Sequence, residues 1–195
     1  MKILRAALLL LLAATPLRAA ETAAPASGAW TLGTNFGVSV LKFSGTDEKW
    51  VSFNAPMGAG LFGGASLQPG MRVGYATASG TSDIYLDLGI NYASYGDGDN
   101  YYSYLITGNY QFNFSPTEPT SLYGTLGGGF NVVSVGGQSE SDPLLGLGFG
   151  LRRKVAEGHG AVRGELRYDR LMGKKEELFA IDSFALKIGV DLWIH

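Results

Sequence analysis

From Ser183 to His195 the chain reads S-F-A-L-K-I-G-V-D-L-W-I-H, a nearly unbroken alternation. Phe184, Leu186, Ile188, Val190, Leu192 and Ile194 share one face, and Ala185, Lys187, Gly189, Asp191, Trp193 and His195 share the other. Successive side chains of an extended strand point to opposite sides, so a period of two marks a strand with two different faces. An α-helix would scatter this pattern around its axis. The segment is therefore confined to β structure.

The same period recurs along the chain and predicts seven further strands: Ala29 to Phe43, Ser66 to Thr77, Ile84 to Tyr95, Tyr101 to Phe114, Ser121 to Val135, Pro143 to Val155 and Gly160 to Leu171. The connections alternate as well. Residues 78–83, 115–120 and 156–159 are modest turns, whereas 44–65, 96–100, 136–142 and 173–182 are mostly longer and more polar. An even strand number, strands of ~10 residues, and short turns at one end with longer loops at the other form the pattern of a membrane-spanning barrel. In lipid only helices and closed barrels satisfy every backbone hydrogen bond. The expected fold is all-β: an eight-stranded antiparallel up-and-down transmembrane β-barrel.

The N-terminus agrees with export. Met1 to Arg5 is basic, Ala6 to Ala14 is apolar, and a small-residue stretch follows. That is the layout of a cleaved signal peptide, and it falls short of the ~20 apolar residues a helical membrane anchor needs. Residues 1–20 are read as the signal, with cleavage as late as 26, residues 21–28 as a flexible linker, and 29–195 as the barrel domain. The chain has no cysteine, which excludes a disulfide scaffold, a thiolate metal site and a lipid anchor through an N-terminal Cys. A net charge of −2 gives no sign of a nucleic-acid partner.

Orientation follows from the two faces. The apolar face carries aromatics at two heights: Trp30, Tyr75, Phe112 and Phe114 at the periplasmic rim, and Tyr92, Tyr102, Tyr104, Tyr168 and Phe184 at the outer rim. Amphipathic rings favour membrane interfaces. The opposite face carries Arg72, Asp87, Arg152, Arg163, Glu165, Arg167, Asp169, Lys187 and Asp191. An eight-stranded barrel has room inside only for side chains, and charges there must be paired. Antiparallel register is expected to bring Arg163 near Asp191, and Lys187 near Glu165 or Asp169, as an ion-pair plug. Other readings use the same pattern: a soluble, lipocalin-like barrel with the apolar face inward, a small channel gated or made selective by the lumen charges, and a lipid-binding barrel.

The signal, the eight alternating strands, the L-Q-P-G-M-R-V-G-Y stretch (Leu67 to Tyr75) and the R-G-E-L-R-Y-D-R run (Arg163 to Arg170) resemble small outer-membrane β-barrel proteins of the OmpA/OmpX type. The resemblance implies an integral bacterial outer-membrane protein with a structural or surface-interaction role, in envelope integrity or adhesion. It implies a monomer in contact with outer-membrane lipid and lipopolysaccharide, the barrel-assembly machinery, and a surface ligand met through the extracellular loops. No peptidoglycan-binding domain is expected after the eighth strand. Such proteins usually end in an aromatic residue; here the chain ends Trp193-Ile194-His195.

Some barrels of this size modify envelope lipids, which calls for a histidine near a serine and a carboxylate. The two histidines, His159 in an expected turn and His195 at the terminus, are poorly placed for that. Gly127-Gly128-Gly129 and Gly146-Leu147-Gly148-Phe149-Gly150 lack the lysine and strand-to-helix context of a phosphate loop. They fit a crowded barrel interior better. Asp97-Gly98-Asp99-Asn100 lacks the glutamate that completes an EF-hand, and reads as a hairpin turn. Lys174-Lys175-Glu176-Glu177 reads most simply as a solvated loop tip, with bridging of lipopolysaccharide phosphates by its lysines as the second reading. No enzymatic activity, metal or cofactor is expected.

Overall fold

The computed structural model describes residues 28–47, 49–54, 70–94, 100–173 and 180–194. The expected signal and nearly all of the linker lie outside these residues, as do 97–99, 174–177 and His195. Nine strands follow in order: β1 Ala29–Phe43, β2 Lys49–Asn54, β3 Met71–Ala76, β4 Ser82–Ser94, β5 Asn100–Asn113, β6 Thr120–Val135, β7 Gln138–Val155, β8 Gly160–Leu171 and β9 Ile181–Ile194. Neighbours pair antiparallel, and β9 returns to pair with β1 from Trp30↔Ile194 to Phe43↔Ile181. Strands β1 and β3 to β9 thereby close an eight-stranded barrel.

The second strand position differs from expectation. Because β9 occupies one edge of β1 over its length, β2 and β3 must share the other edge. β3 pairs with Ala29–Thr34 and β2 with Gly37–Lys42. The stretch expected as a loop over 44–65 therefore contains a strand of six residues, too short for its alternation to stand out. The return is anchored by Gly70, whose carbonyl accepts the Asn35 N–H at 2.7 Å.

The expected loop over 136–142 is also corrected. β6 and β7 form a continuous hairpin, with Val135↔Gln138 as the last pair. Gly136 and Gly137 have φ of 56° and 82°, the two successive positive values that a tight primed turn requires. The polar run Ser139, Glu140, Ser141 is strand that stands above the apolar band. Pro143 lies within β7 without breaking it. Its carbonyl accepts the Met172 N–H at 2.9 Å, so its hydrogen-free nitrogen also faces β8, where the ladder ends at Leu171.

Burial settles which face is inside. Leu126 is 67% exposed and Leu166 60%, whereas Arg163 is 1% and Lys187 0% exposed. A water-soluble barrel would show the reverse, so the lipocalin-like reading is set aside. Among the described residues no helix is long and apolar enough to cross a membrane, and only Ala156–Gly158 forms a helical turn.

Replacing an exposed leucine by arginine on a soluble protein changes stability by about 0.5 kcal/mol or less. On a lipid-facing strand the same change costs ~2–4 kcal/mol near the bilayer centre. Leu126→Arg is expected to show the larger loss when unfolding is titrated with denaturant in lipid vesicles.

Candidate functional site

The lumen holds the chemistry, and strand register places it. Asp87, Arg72, Gly33 and Asp191 form one row across β4, β3, β1 and β9. Arg72 grips Asp87 with two hydrogen bonds, Nε to Oδ1 at 2.9 Å and Nη2 to Oδ2 at 3.2 Å. Gly33 has no side chain to intervene, so Arg72 Nη1 also lies 3.9 Å from Asp191. The Arg72 guanidinium sits 3.5 Å above the Tyr85 ring.

Arg163 reaches Asp191 by Nε at 2.8 Å, the pair that the sequence expected to be neighbours. Lys187 lies opposite Glu165 in register, but its Nζ is 3.6 Å from Asp87 across the lumen. Glu165 accepts a hydrogen bond from the Tyr123 hydroxyl at 3.1 Å and lies 3.6 Å from Arg167. Arg167 binds Asp169 at 2.8 Å and donates to Asn109 at 3.0 Å. Nearer the short-turn end, Arg152 pairs with Asp83 at 2.6 Å, and Asp83 also accepts from Gln111 at 3.0 Å.

Glycines make room for these side chains. Gly146, Gly148 and Gly150 of β7 stand directly opposite Asp169, Arg167 and Glu165 of β8. A Cβ at Gly148 would meet Glu165 Oε1 at 2.8 Å, one at Gly146 would meet Arg167 Nη2 at 2.7 Å, and one at Gly189 would meet the Arg163 guanidinium at 2.6 Å. The repeat Gly-Leu-Gly-Phe-Gly is thus the steric complement of the charged run in the next strand.

Several lumen residues escaped the sequence reading. Asp83 falls one residue before the strand start that alternation suggested. Leu41, Leu105, Leu144 and Leu171 point inward and pack into an apolar layer at the outer end, with Phe43 and Ile181 against it. Ala29, Ala76, Ala161 and Trp193 form a second layer at the periplasmic end, where Arg152 stands 5.4 Å over the Trp193 ring. A leucine on the inward face looks like any other leucine in sequence; only register reveals that these four meet.

Outside, Trp30 meets Tyr75 edge-on at 5.7 Å, Phe112 meets Phe114 at 5.3 Å, and Phe114 meets Phe149 at 6.3 Å. At the other end Tyr92 meets Tyr102 at 5.0 Å and Tyr168 meets Phe184 at 4.9 Å, with Tyr104 exposed nearby. His159 sits in the turn after Ala156–Gly158, and its carbonyl accepts the Trp193 N–H at 2.8 Å. Among the described residues no three His, Cys, Asp or Glu side chains are placed to share a metal ion.

A closed barrel with lipophilic walls and a polar interior defines an integral membrane β-barrel. The chain belongs to the outer membrane protein beta-barrel domain family, which residues 6–191 match, and membership supports an outer-membrane location. Neisserial surface protein A is similar in structure, with 17% identity, TM-score 0.57, and 85% of this chain and 97% of that chain covered. Also similar are the Yersinia pestis attachment invasion locus protein Ail (18%, TM-score 0.46, 85% and 99% covered) and the outer membrane protein AlkL (15%, 0.48, 92% and 96%). At 17% identity the first likeness extends to fold and no further. No curated protein matches the chain.

Removing one partner of a buried, hydrogen-bonded ion pair costs ~3–5 kcal/mol, because the other charge is left uncompensated. Arg72→Met is expected to lose that much in vesicle unfolding titrations. Adding Asp87→Asn restores neutrality and is expected to recover part of the loss; two losses that simply add would show that the pair is not coupled.

Proposed function

We propose that the protein is a non-enzymatic, integral outer-membrane barrel with a structural or surface-interaction role, its lumen closed to ions by its own side chains. The observation that carries this reading is charge balance. Among the described residues the buried cations are Arg72, Arg152, Lys154, Arg163, Arg167 and Lys187, and the buried anions are Asp83, Asp87, Asp142, Glu165, Asp169 and Asp191, six against six. Charged selectivity rings in channels are built from one sign of charge, which compensates the water a permeant ion sheds. Here each cation meets a carboxylate or a carbonyl of the protein itself, as Lys154 meets the Pro116 carbonyl at 2.7 Å.

The apolar layers at both ends support the same reading. An ion entering between Leu41, Leu105, Leu144 and Leu171 would lose hydration without gaining a ligand. What the barrel offers to its surroundings is then its outer surface. The partners that suit this role are outer-membrane lipid and lipopolysaccharide, the barrel-assembly machinery during insertion, and a ligand met at the outer rim. A cleaved signal peptide over residues 1–20 would deliver the chain to the periplasm.

Planar-bilayer recording tests the closed lumen. The unaltered barrel is expected to pass no steady current, whereas Arg72→Ala, Arg163→Ala, Arg167→Ala and Lys187→Ala combined open a measurable path. Steady single-channel steps from the unaltered protein would overturn the reading in favour of a small channel.

A further inference from the structure

Two adjacent rows on the outside of the barrel, at its outer end, have different chemistry. The lower row is Val51, Val40, Phe184 and Tyr168, in register across β2, β1, β9 and β8. Two residues further along each strand, the same register gives Lys49, Lys42, Asp182 and Arg170. Two strand residues span about 7 Å, so the charged row stands one such step beyond this apolar and aromatic row. That is the depth of lipid headgroups.

The balance of the row is cationic. Asp182 accepts the Tyr168 hydroxyl at 2.6 Å and lies 3.7 Å from Arg170. Lys42 and Lys49 stand directly opposite one another, exposed, and among the described residues neither has a carboxylate within ion-pair distance. Like charges opposite each other on paired strands destabilise the sheet unless an anion lies between them. Among the described residues the corresponding register row of the far wall is uncharged: Tyr92, Tyr102, Ser134 and Ser139. Next to the cationic row an open cleft of about 450 Å³ is lined by Lys42, Ser44, Gly45, Thr46, Asp47 and Asp182. The Thr46 hydroxyl is turned back to the Phe43 carbonyl, to which it donates at 3.3 Å. Among the described residues the three cations exceed Asp47 and Asp182 by one charge.

The geometry points to a binding site for the phosphate groups of an outer-leaflet lipid, formed by Lys42 and Lys49 with Arg170 as a second contact held by Asp182. Three strand spacings of about 4.8 Å separate Lys49 from Arg170, roughly 14 Å, so a headgroup with two phosphates can meet both ends of the row. Acyl chains of the same lipid would then lie along Val40, Val51 and Phe184. This rests on the outer-membrane role proposed above and goes beyond the filled lumen, and the two fail separately: conductance reports on the inside, lipid binding on the outside.

The test uses the full barrel in phosphatidylcholine vesicles doped with diphosphorylated lipid A, with the same lipid stripped of phosphate as a second arm and inorganic pyrophosphate in solution as a third. Binding is read from the thermal unfolding midpoint on heat-modifiable gels as the dopant is titrated. Cationic side chains near a membrane surface contribute about 1 kcal/mol each, or roughly fivefold in affinity. Lys42→Gln with Lys49→Gln is expected to weaken binding by roughly 25-fold, and Arg153→Gln at the opposite rim to leave it unchanged. Asp182→Asn is expected to strengthen binding, a gain that misfolding cannot mimic. Equal affinity for the stripped lipid, or a double-lysine variant within about twofold of the unaltered barrel, would overturn the site. Displacement of the lipid by pyrophosphate at matching concentration would overturn the lipid as its ligand in favour of free phosphate.

Discussion

The pairing of β1 with β9 is the interaction on which everything else rests. A sheet edge in hydrocarbon leaves a row of N–H and C=O groups without partners, at a cost of several kcal/mol for each. Closure removes that edge, and fourteen successive pairs join the first strand to the last. Once the sheet is closed, period-two alternation has only one meaning: every second residue faces lipid and every other one faces a narrow interior. The Trp193 N–H bonded to the His159 carbonyl extends the β8–β9 ladder one step before the start of β8.

The interior is then a packing problem with charges in it. Long side chains from β8 and β9 fill the space that glycines in β7, β1 and β9 leave open. Arg72 touches Asp87, Asp191 and the Tyr85 ring, and so links three walls of the barrel. Such a cluster orders several partners by fixing one guanidinium, which lowers the entropy lost for each contact. The apolar layers above and below keep the surroundings of these pairs low in dielectric. There an intact pair is strong and a broken one is expensive.

Much of this was legible in the residues, and the omissions have physical causes. Alternation identified eight strands, their inward charges and the two aromatic belts, because lipid on one side and a crowded lumen on the other impose opposite chemistry on neighbouring residues. β2 was missed because six residues carry too little alternation, and the strand is defined by its partner Gly37–Lys42. The β6–β7 hairpin was cut short because Ser139 to Ser141 are polar, and strand outside the lipid band need not alternate. The inward leucines were read no further than their hydrophobicity. Arg163 with Asp191 could be guessed from adjacent strands, whereas Lys187 with Asp87 spans the lumen between strands far apart in sequence.

The fit of β7 to β8 has a consequence for assembly. Sliding one strand by two residues keeps every apolar side chain in lipid, so hydrophobicity cannot distinguish the slipped pairing from the native one. Side-chain shape and charge can. In one direction the slip sets Leu144 against Asp169; in the other it sets Leu171 against Gly146, where it has no apolar partner. Either way Leu144 is parted from Leu171 and the leucine layer is lost. The lumen thus acts as a proofreading surface for the order of hydrogen bonds in the wall, at the one step that the bilayer itself is unable to check.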